Sequence, residues 1–162
     1  MNLLKLQESV RSFISLNGWS SPFAATLTLR QARYELNERG SLVRVPLNDE
    51  RASRNFRHFI NLLSSRVYGT SWKRFGRRVR AFPVQEGGRH QRLHYHALVE
   101  CPREDLISIY PQLIEQCWQR TDWGYDQVHV TADPDAGWLR YMTKLRSKPD
   151  FGSSIDWMNY AT

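Results

Sequence analysis

Strand alternation is the feature that most constrains this 162-residue chain. Residues on a strand point to opposite faces in turn, so a period of two reports which side chains share a face. From Phe23 to Arg30, Phe23, Ala25, Leu27 and Leu29 oppose Thr26, Thr28 and Arg30. From Leu93 to Glu100, Leu93, Tyr95, Ala97 and Val99 oppose His94, His96 and Leu98. From Tyr125 to Thr131, Val128 and Val130 oppose Gln127, His129 and Thr131. Three strands therefore agree on one sheet, with an apolar face for helices and a polar face that carries histidines. Val79 to Glu86 reads as a further strand, joined to the histidine strand through Gly87-Gly88 and their neighbours. Pro83 within it calls for an edge position or a bulge, because proline cannot donate to a central ladder.

The segments between the strands carry helical signals. Leu3 to Leu16 is a short amphipathic helix ended by Asn17-Gly18. Asn48 caps a helix from about Asp49 to Tyr68, with acids in its first turn and Gly69 after its end. Pro102 opens a helix to about Arg120, with Leu106, Ile109, Leu113, Ile114 and Trp118 on its buried side. Asp133-Pro134-Asp135 starts a last helix to about Arg146, docked by Trp138, Met142 and Leu145. Gly40 and Pro46 mark a loop, residues 70–78 read as loop, and the tail from Pro149 carries no clear signal. The central order β-α-β-β-α-β predicts an α+β, ferredoxin-like antiparallel sheet with both central helices on one face. The extra helix is then free to cover the polar face. The length suits a single domain: an N-terminal helix over 1–20, a core over 23–146 and a tail over 149–162.

Charge narrows the partner. The net charge is +7, and all of that excess falls between Arg66 and Arg92. Eight basic residues there, Arg66, Lys73, Arg74, Arg77, Arg78, Arg80, Arg89 and Arg92, face one acid, Glu86. The balance points to a polyanion. Arginine outnumbers lysine 19 to 4, and a planar guanidinium suits phosphate and base stacking. No apolar run reaches membrane-spanning length, and the start is not an apolar signal core. Cys101 and Cys117 lack close metal-ligand spacing and read as reduced thiols of a cytoplasmic protein.

His94 and His96 lie about 7 Å apart at Cα on one strand face. Two imidazoles converging from there can share one divalent ion. If Glu86 pairs opposite His94, across a loop from Gly87 to Arg92, its carboxylate joins the same face. His-His-carboxylate with open positions suits Mg²⁺ or Mn²⁺ that must also bind phosphate oxygen. The same histidines also suit an ordinary exposed sheet face. His129 is an alternative third ligand, a DNA contact or a plain surface histidine.

On the last helix Tyr141 and Lys144 are three apart and share a face. A tyrosine can be a covalent nucleophile, and Lys144 can offset phosphate charge. Equally, Tyr141 can be a partly buried aromatic and Lys144 a solvated charge. Thr26, Thr28 and Arg30 are placed to line a DNA path, or simply form a polar sheet face. Lys73, Arg74, Arg77, Arg78, Arg80 and Arg92 are candidate DNA contacts in a track leading to the metal. Trp72 among Lys73, Arg74 and Phe75 suits single-strand binding, or anchors a solvated loop. His58 and His90 have no evident partner. Tyr160 is a rival nucleophile in a tail without helical signal.

Together these residues resemble the HUH endonucleases, specifically the Rep-like, single-tyrosine branch that initiates rolling-circle replication. Phe23-Ala24-Ala25-Thr26-Leu27-Thr28-Leu29 is similar to that family's first motif. His94-Tyr95-His96 is similar to the second, and Tyr141-Met142-Thr143-Lys144 to the third. The resemblance runs from about Phe23 to Lys144 and implies a single HUH domain over 1–162 with the last helix as the catalytic one. It further implies nicking and joining of single-stranded DNA at an origin, or of a DNA hairpin. Tyr141 would form a 5′-phosphotyrosine, with Mg²⁺ or Mn²⁺ held by His94, His96 and Glu86. One tyrosine argues against the two-tyrosine phage mechanism, and its late position against relaxases. Leu145 stands where small transposases of the superfamily often carry a glutamine ligand. A single-tyrosine transposase stays open as an alternative, as does a non-catalytic RRM-like nucleic-acid-binding domain. No phosphate-binding loop is present, so a host or separate helicase is the expected partner. A monomer in a prokaryotic cell, encoded by the cell or a mobile element, without membrane contact completes the expectation.

Overall fold

A computed structural model describes residues 3–14, 18–88, 91–144 and 151–160. The core strands are β1 (Pro22–Leu29), β4 (Ala81–Gly88), β5 (Gln91–Glu100) and β6 (Gly124–Ala132). They form one antiparallel sheet in the order β4-β5-β1-β6. Helices α2 (Asp49–Tyr68) and α4 (Tyr110–Gln119) form the two crossovers. The protein is therefore α+β with the connectivity and strand order of the ferredoxin-like plan. Asn48 caps α2 as its side chain accepts from Arg51 N at 2.8 Å, and Gly69 closes the helix.

The apolar face is a continuous core. Phe23, Ala25, Leu27 and Leu29 of β1 and Leu93, Tyr95, Ala97 and Val99 of β5 meet Phe56, Phe59, Ile60 and Leu63 of α2 and Tyr110, Ile114 and Trp118 of α4. The Phe56 ring lies 4.9 Å from Tyr95, and Phe59 lies 5.4 Å from Trp118. Burial, with Asp156 adjoining, pushes the Tyr95 phenol far above its ordinary value. Cys101 and Cys117 are buried free thiols, and burial raises both.

The opposite face is only partly covered. Helix α1 (Leu3–Ile14) and the short helix α5 (Ala136–Met142) pack there. Val10, Ile14, Trp19, Phe82, Val84, Leu98, Leu139, Met142 and Ile155 form this second, smaller cluster.

Several expectations need correction. The stretch read as a loop around Gly40 and Pro46 holds a two-stranded ribbon, β2 (Ala32–Leu36) and β3 (Leu42–Pro46). Its Tyr34, Leu36 and Leu42 are exposed, so no buried face imposed a pattern on it. Residues 70–78 are not all loop: Ser71–Phe75 form α3. The helix expected from Pro102 begins as a 3-10 segment, Glu104–Ile109, before α4. That change of pitch turns Ile109 out to solvent and puts Tyr110 in the core. Pro83 sits on the edge strand in unbroken register opposite Ala97, and the irregularity falls between Glu86 and Gly88 instead. The β4–β5 strands also run closer together than the expected six-residue loop, with Gly88 opposite Gln91; Arg89 and His90 lie outside the described residues. The last helix stops at Met142, four residues short of Arg146; Leu145 and Arg146 lie outside the described residues.

The tail is ordered by contacts that its sequence did not announce. After α6 (Phe151–Ser154), Ile155 bridges Val84, and Asp156 N donates to Pro83 O at 3.1 Å. Asn159 Nδ2 donates to Ser53 O at 2.7 Å, and the Asp156 carboxylate accepts from Tyr95 and Ser53, each at 3.0 Å. The tail thus covers the edge of β4, where unpaired backbone would otherwise be exposed. Among the described residues no helix is long and apolar enough to cross a membrane.

Candidate metal centre

The sheet register assembles the site. Glu86 of β4 lies opposite His94 of β5, and β1 places Thr28 opposite His94 and Thr26 opposite His96. Direct cross-strand partners share a face, so all five side chains project from the face that α1 and α5 half cover.

Three donor atoms converge. His94 Nε2 lies 3.3 Å from His96 Nε2, and His96 Nε2 lies 3.2 Å from Glu86 Oε2. Ligand atoms of all three residues fall within 4.8 Å of one another. Ions bound at about 2.0–2.2 Å place neighbouring ligand atoms about 3 Å apart, so the spacing fits a shared cation. Glu86 and His96 are only 5% and 3% exposed. A carboxylate at that depth requires positive charge beside it.

The rings are aimed from behind. His94 Nδ1 lies 2.9 Å from Arg92 O. A carbonyl can only accept, so the proton sits on Nδ1 and Nε2 presents its lone pair. Thr26 Oγ1 occupies His96 Nδ1 at 3.1 Å, which likewise leaves Nε2 for the cluster. Such outer contacts fix ligand orientation. Gly87 permits this arrangement. It has φ of 112°, and a Cβ there would lie 2.5 Å from Arg92 O, the carbonyl that holds His94.

Helix α5 brings the tyrosine. Asp135 caps it, accepting from Trp138 N at 2.8 Å. Leu139 and Met142 are buried in the smaller cluster, which leaves Tyr141 50% exposed with its ring 5.3 Å from His96. Leu139, rather than Trp138 alone, anchors the helix with Met142. Lys144 lies just beyond the helix, yet its Nζ is 3.9 Å from the Tyr141 ring centroid and 3.5 Å from Glu86 Oε1. Between them Thr143 is fully buried and clamped by α1: Gln7 donates to its carbonyl, and Arg11 Nε donates to its hydroxyl at 2.9 Å.

The chain matches, over residues 22–150, the family model of the replication-associated protein ORF2/gene-2 protein. It belongs to that replication-associated family. The matched region of this replication-associated protein contains the whole sheet, the Glu-His-His cluster and α5. No curated protein and no solved structure gives a significant match.

The remaining site candidates divide into two groups in the family member. Thr26, Thr28, Arg30 and Arg92 lie beside the cluster, with Arg92 and His94 on one face of β5. Lys73, Arg74, Arg77, Arg78 and Arg80 do not. They precede Ala81, which pairs with Val99, so they enter the sheet at the far end of β4 from Glu86. A single track from 66 to 92 leading into the metal centre is therefore incorrect. Arg80 is occupied structurally, with its guanidinium 4.1 Å from the Trp19 ring centroid and donating to Gly18 O. Arg78 lies partly buried near Arg57, and that burial lowers its pKa, with the second cation adding to it.

His129 lies opposite Thr26 but is exposed, contacts Thr131 and falls outside the three-residue cluster. Tyr160 packs on Phe13 and Phe82 at the smaller cluster. His58 is exposed on α2. Sequence reasoning passed over Tyr125, which carries Arg92 at 4.8 Å and Arg30 at 5.9 Å from its ring centroid. The available signal was its phase: it alternates with Gln127 and His129 on the polar side.

Proposed function

We propose that this protein is a metal-dependent HUH endonuclease that nicks and rejoins single-stranded DNA to initiate rolling-circle replication. The observation that carries this reading is the convergence of Glu86, His94 and His96 beside Tyr141. Membership of a replication-associated family favours replication over transposition.

Glu86, His94 and His96 would hold Mg²⁺ or Mn²⁺. When bound, the ion supplies Lewis-acid polarisation of the scissile phosphate. The protein does the rest. Tyr141 Oη attacks phosphorus, forming an O–P bond and giving up its proton. The bond from phosphorus to the 3′ oxygen breaks, and that oxygen takes up a proton to become a free 3′-OH. The product is a 5′-phosphotyrosine, which stores the phosphodiester bond so that rejoining needs no nucleotide triphosphate. Lys144, beside both Tyr141 and Glu86, is placed to offset charge as the phosphate passes through its transition state. The clamp of Gln7 and Arg11 on Thr143 holds the tyrosine segment against the cluster and limits its orientational freedom.

The test is a denaturing gel with labelled single-stranded DNA carrying candidate origin hairpins. A slow-migrating covalent band that needs Mn²⁺ or Mg²⁺ and disappears in Tyr141→Phe is the expected result. DNA binding without any adduct on all such substrates would instead favour a non-catalytic binding domain.

A further inference from the structure

Arg92, Tyr125 and Arg30 make a second feature on the same face, at its His94 end. They come from β5, β6 and the end of β1, so they span three adjacent strands. Arg92 and His94 lie two residues apart on one strand face, about 7 Å at Cα, and Arg92's own carbonyl holds the His94 ring. Arg30 is steadied by Nε donating to Gly124 O at 3.2 Å.

The charge arrangement here points to an absent partner. Elsewhere arginines meet acids: Arg33 with Asp122, Arg54 with Glu50, Arg103 with Asp105. Among the described residues neither Arg30 nor Arg92 pairs with a carboxylate. Two guanidiniums around one ring repel each other, and both are exposed. An anion offers charge to both, and the half-buried ring between them offers a π-face.

We propose that Tyr125 is a stacking platform for one base of single-stranded DNA, with Arg92 and Arg30 binding the flanking phosphates. This rests on the DNA-nicking reading for its ligand and extends that site by a nucleotide position adjoining the metal centre. Base stacking on an aromatic ring is sequence-tolerant, so the platform would seat the strand without reading its sequence.

The test uses the full chain without divalent metal, so that no cleavage intervenes. Fluorescence anisotropy compares a dT12 oligonucleotide with an abasic 12-mer of equal charge. The wild type is expected to prefer dT12 by about tenfold or more. Tyr125→Ala should remove most of that preference while leaving abasic binding unchanged, and Tyr125→Phe should retain it. Arg92→Gln should weaken both ligands and flatten their salt dependence. Equal binding of the two ligands by the wild type overturns the proposal without recourse to any variant. So does an undiminished preference in a folded Tyr125→Ala protein. The covalent-adduct assay separates the two claims. An adduct together with a Tyr125-independent preference removes only the platform. A Tyr125-dependent preference without an adduct removes only the nicking reading.

Discussion

The two faces of the sheet use alternate residues of the same strands, and they differ in how they are covered. One is sealed by α2 and α4 over fully buried aromatic and aliphatic side chains. The other is only partly closed by α1 and α5, and it retains histidines, threonines and a buried glutamate beside an accessible tyrosine. A sealed face gains stability from close packing. A half-open face leaves room for a ligand and a strand of DNA. Neither can replace the other, because a one-residue register slip would exchange them.

If the faces are separable in this way, damage to each should read out differently. Phe56→Ala on the sealed face should destabilise the fold by about 3–5 kcal/mol in urea unfolding. The metal affinity of the remaining folded fraction should stay unchanged. A fall in both would show that the faces are coupled. His96→Ala on the open face should do the reverse. Mn²⁺ affinity by calorimetry should fall at least about 100-fold, with little loss of melting temperature in the absence of metal.

A subtler variant probes the seam between α1 and α5. Thr143→Val deletes the hydroxyl that accepts from Arg11 and donates to Leu139 O. It should cost about 1–2 kcal/mol and lower the adduct rate several-fold while leaving Mn²⁺ affinity intact. An unchanged rate would show that α5 is positioned without α1. The smallest effect belongs to the far end of β4. Arg77→Gln with Arg78→Gln should weaken single-stranded DNA binding modestly and reduce the slope of log K against log salt by about 0.7 per lost phosphate contact. No change at several salt concentrations would restrict the DNA path to the Arg30–Arg92 end.

Much of this division was legible in the sequence, because alternation is a local property. Leu93, Tyr95, Ala97 and Val99 interleaved with His94 and His96 report their faces without any knowledge of the fold. The pairing of Glu86 with His94 followed from counting back through one hairpin. What escaped depends on distant contacts. The β2–β3 ribbon buries neither face fully, so its alternation has no core to report. The tail is ordered by Asn159 on Ser53 and Ile155 on Val84, partners about a hundred and about seventy residues away. The basic stretch from 66 to 92 is contiguous in sequence, but the length of β4 separates its two ends. Tyr125 matters only through Arg92 and Arg30, which reach it from other strands.

The central claim is that Tyr141, among the tyrosines of this chain, becomes covalently joined to DNA. Mass spectrometry of protease-digested adduct, formed with Mn²⁺ on single-stranded origin DNA, addresses it directly. The account predicts a nucleotide mass on the peptide containing Tyr141, and none when Glu86, His94 or His96 is replaced. A nucleotide on Tyr160, or an adduct that persists in Tyr141→Phe, would contradict it.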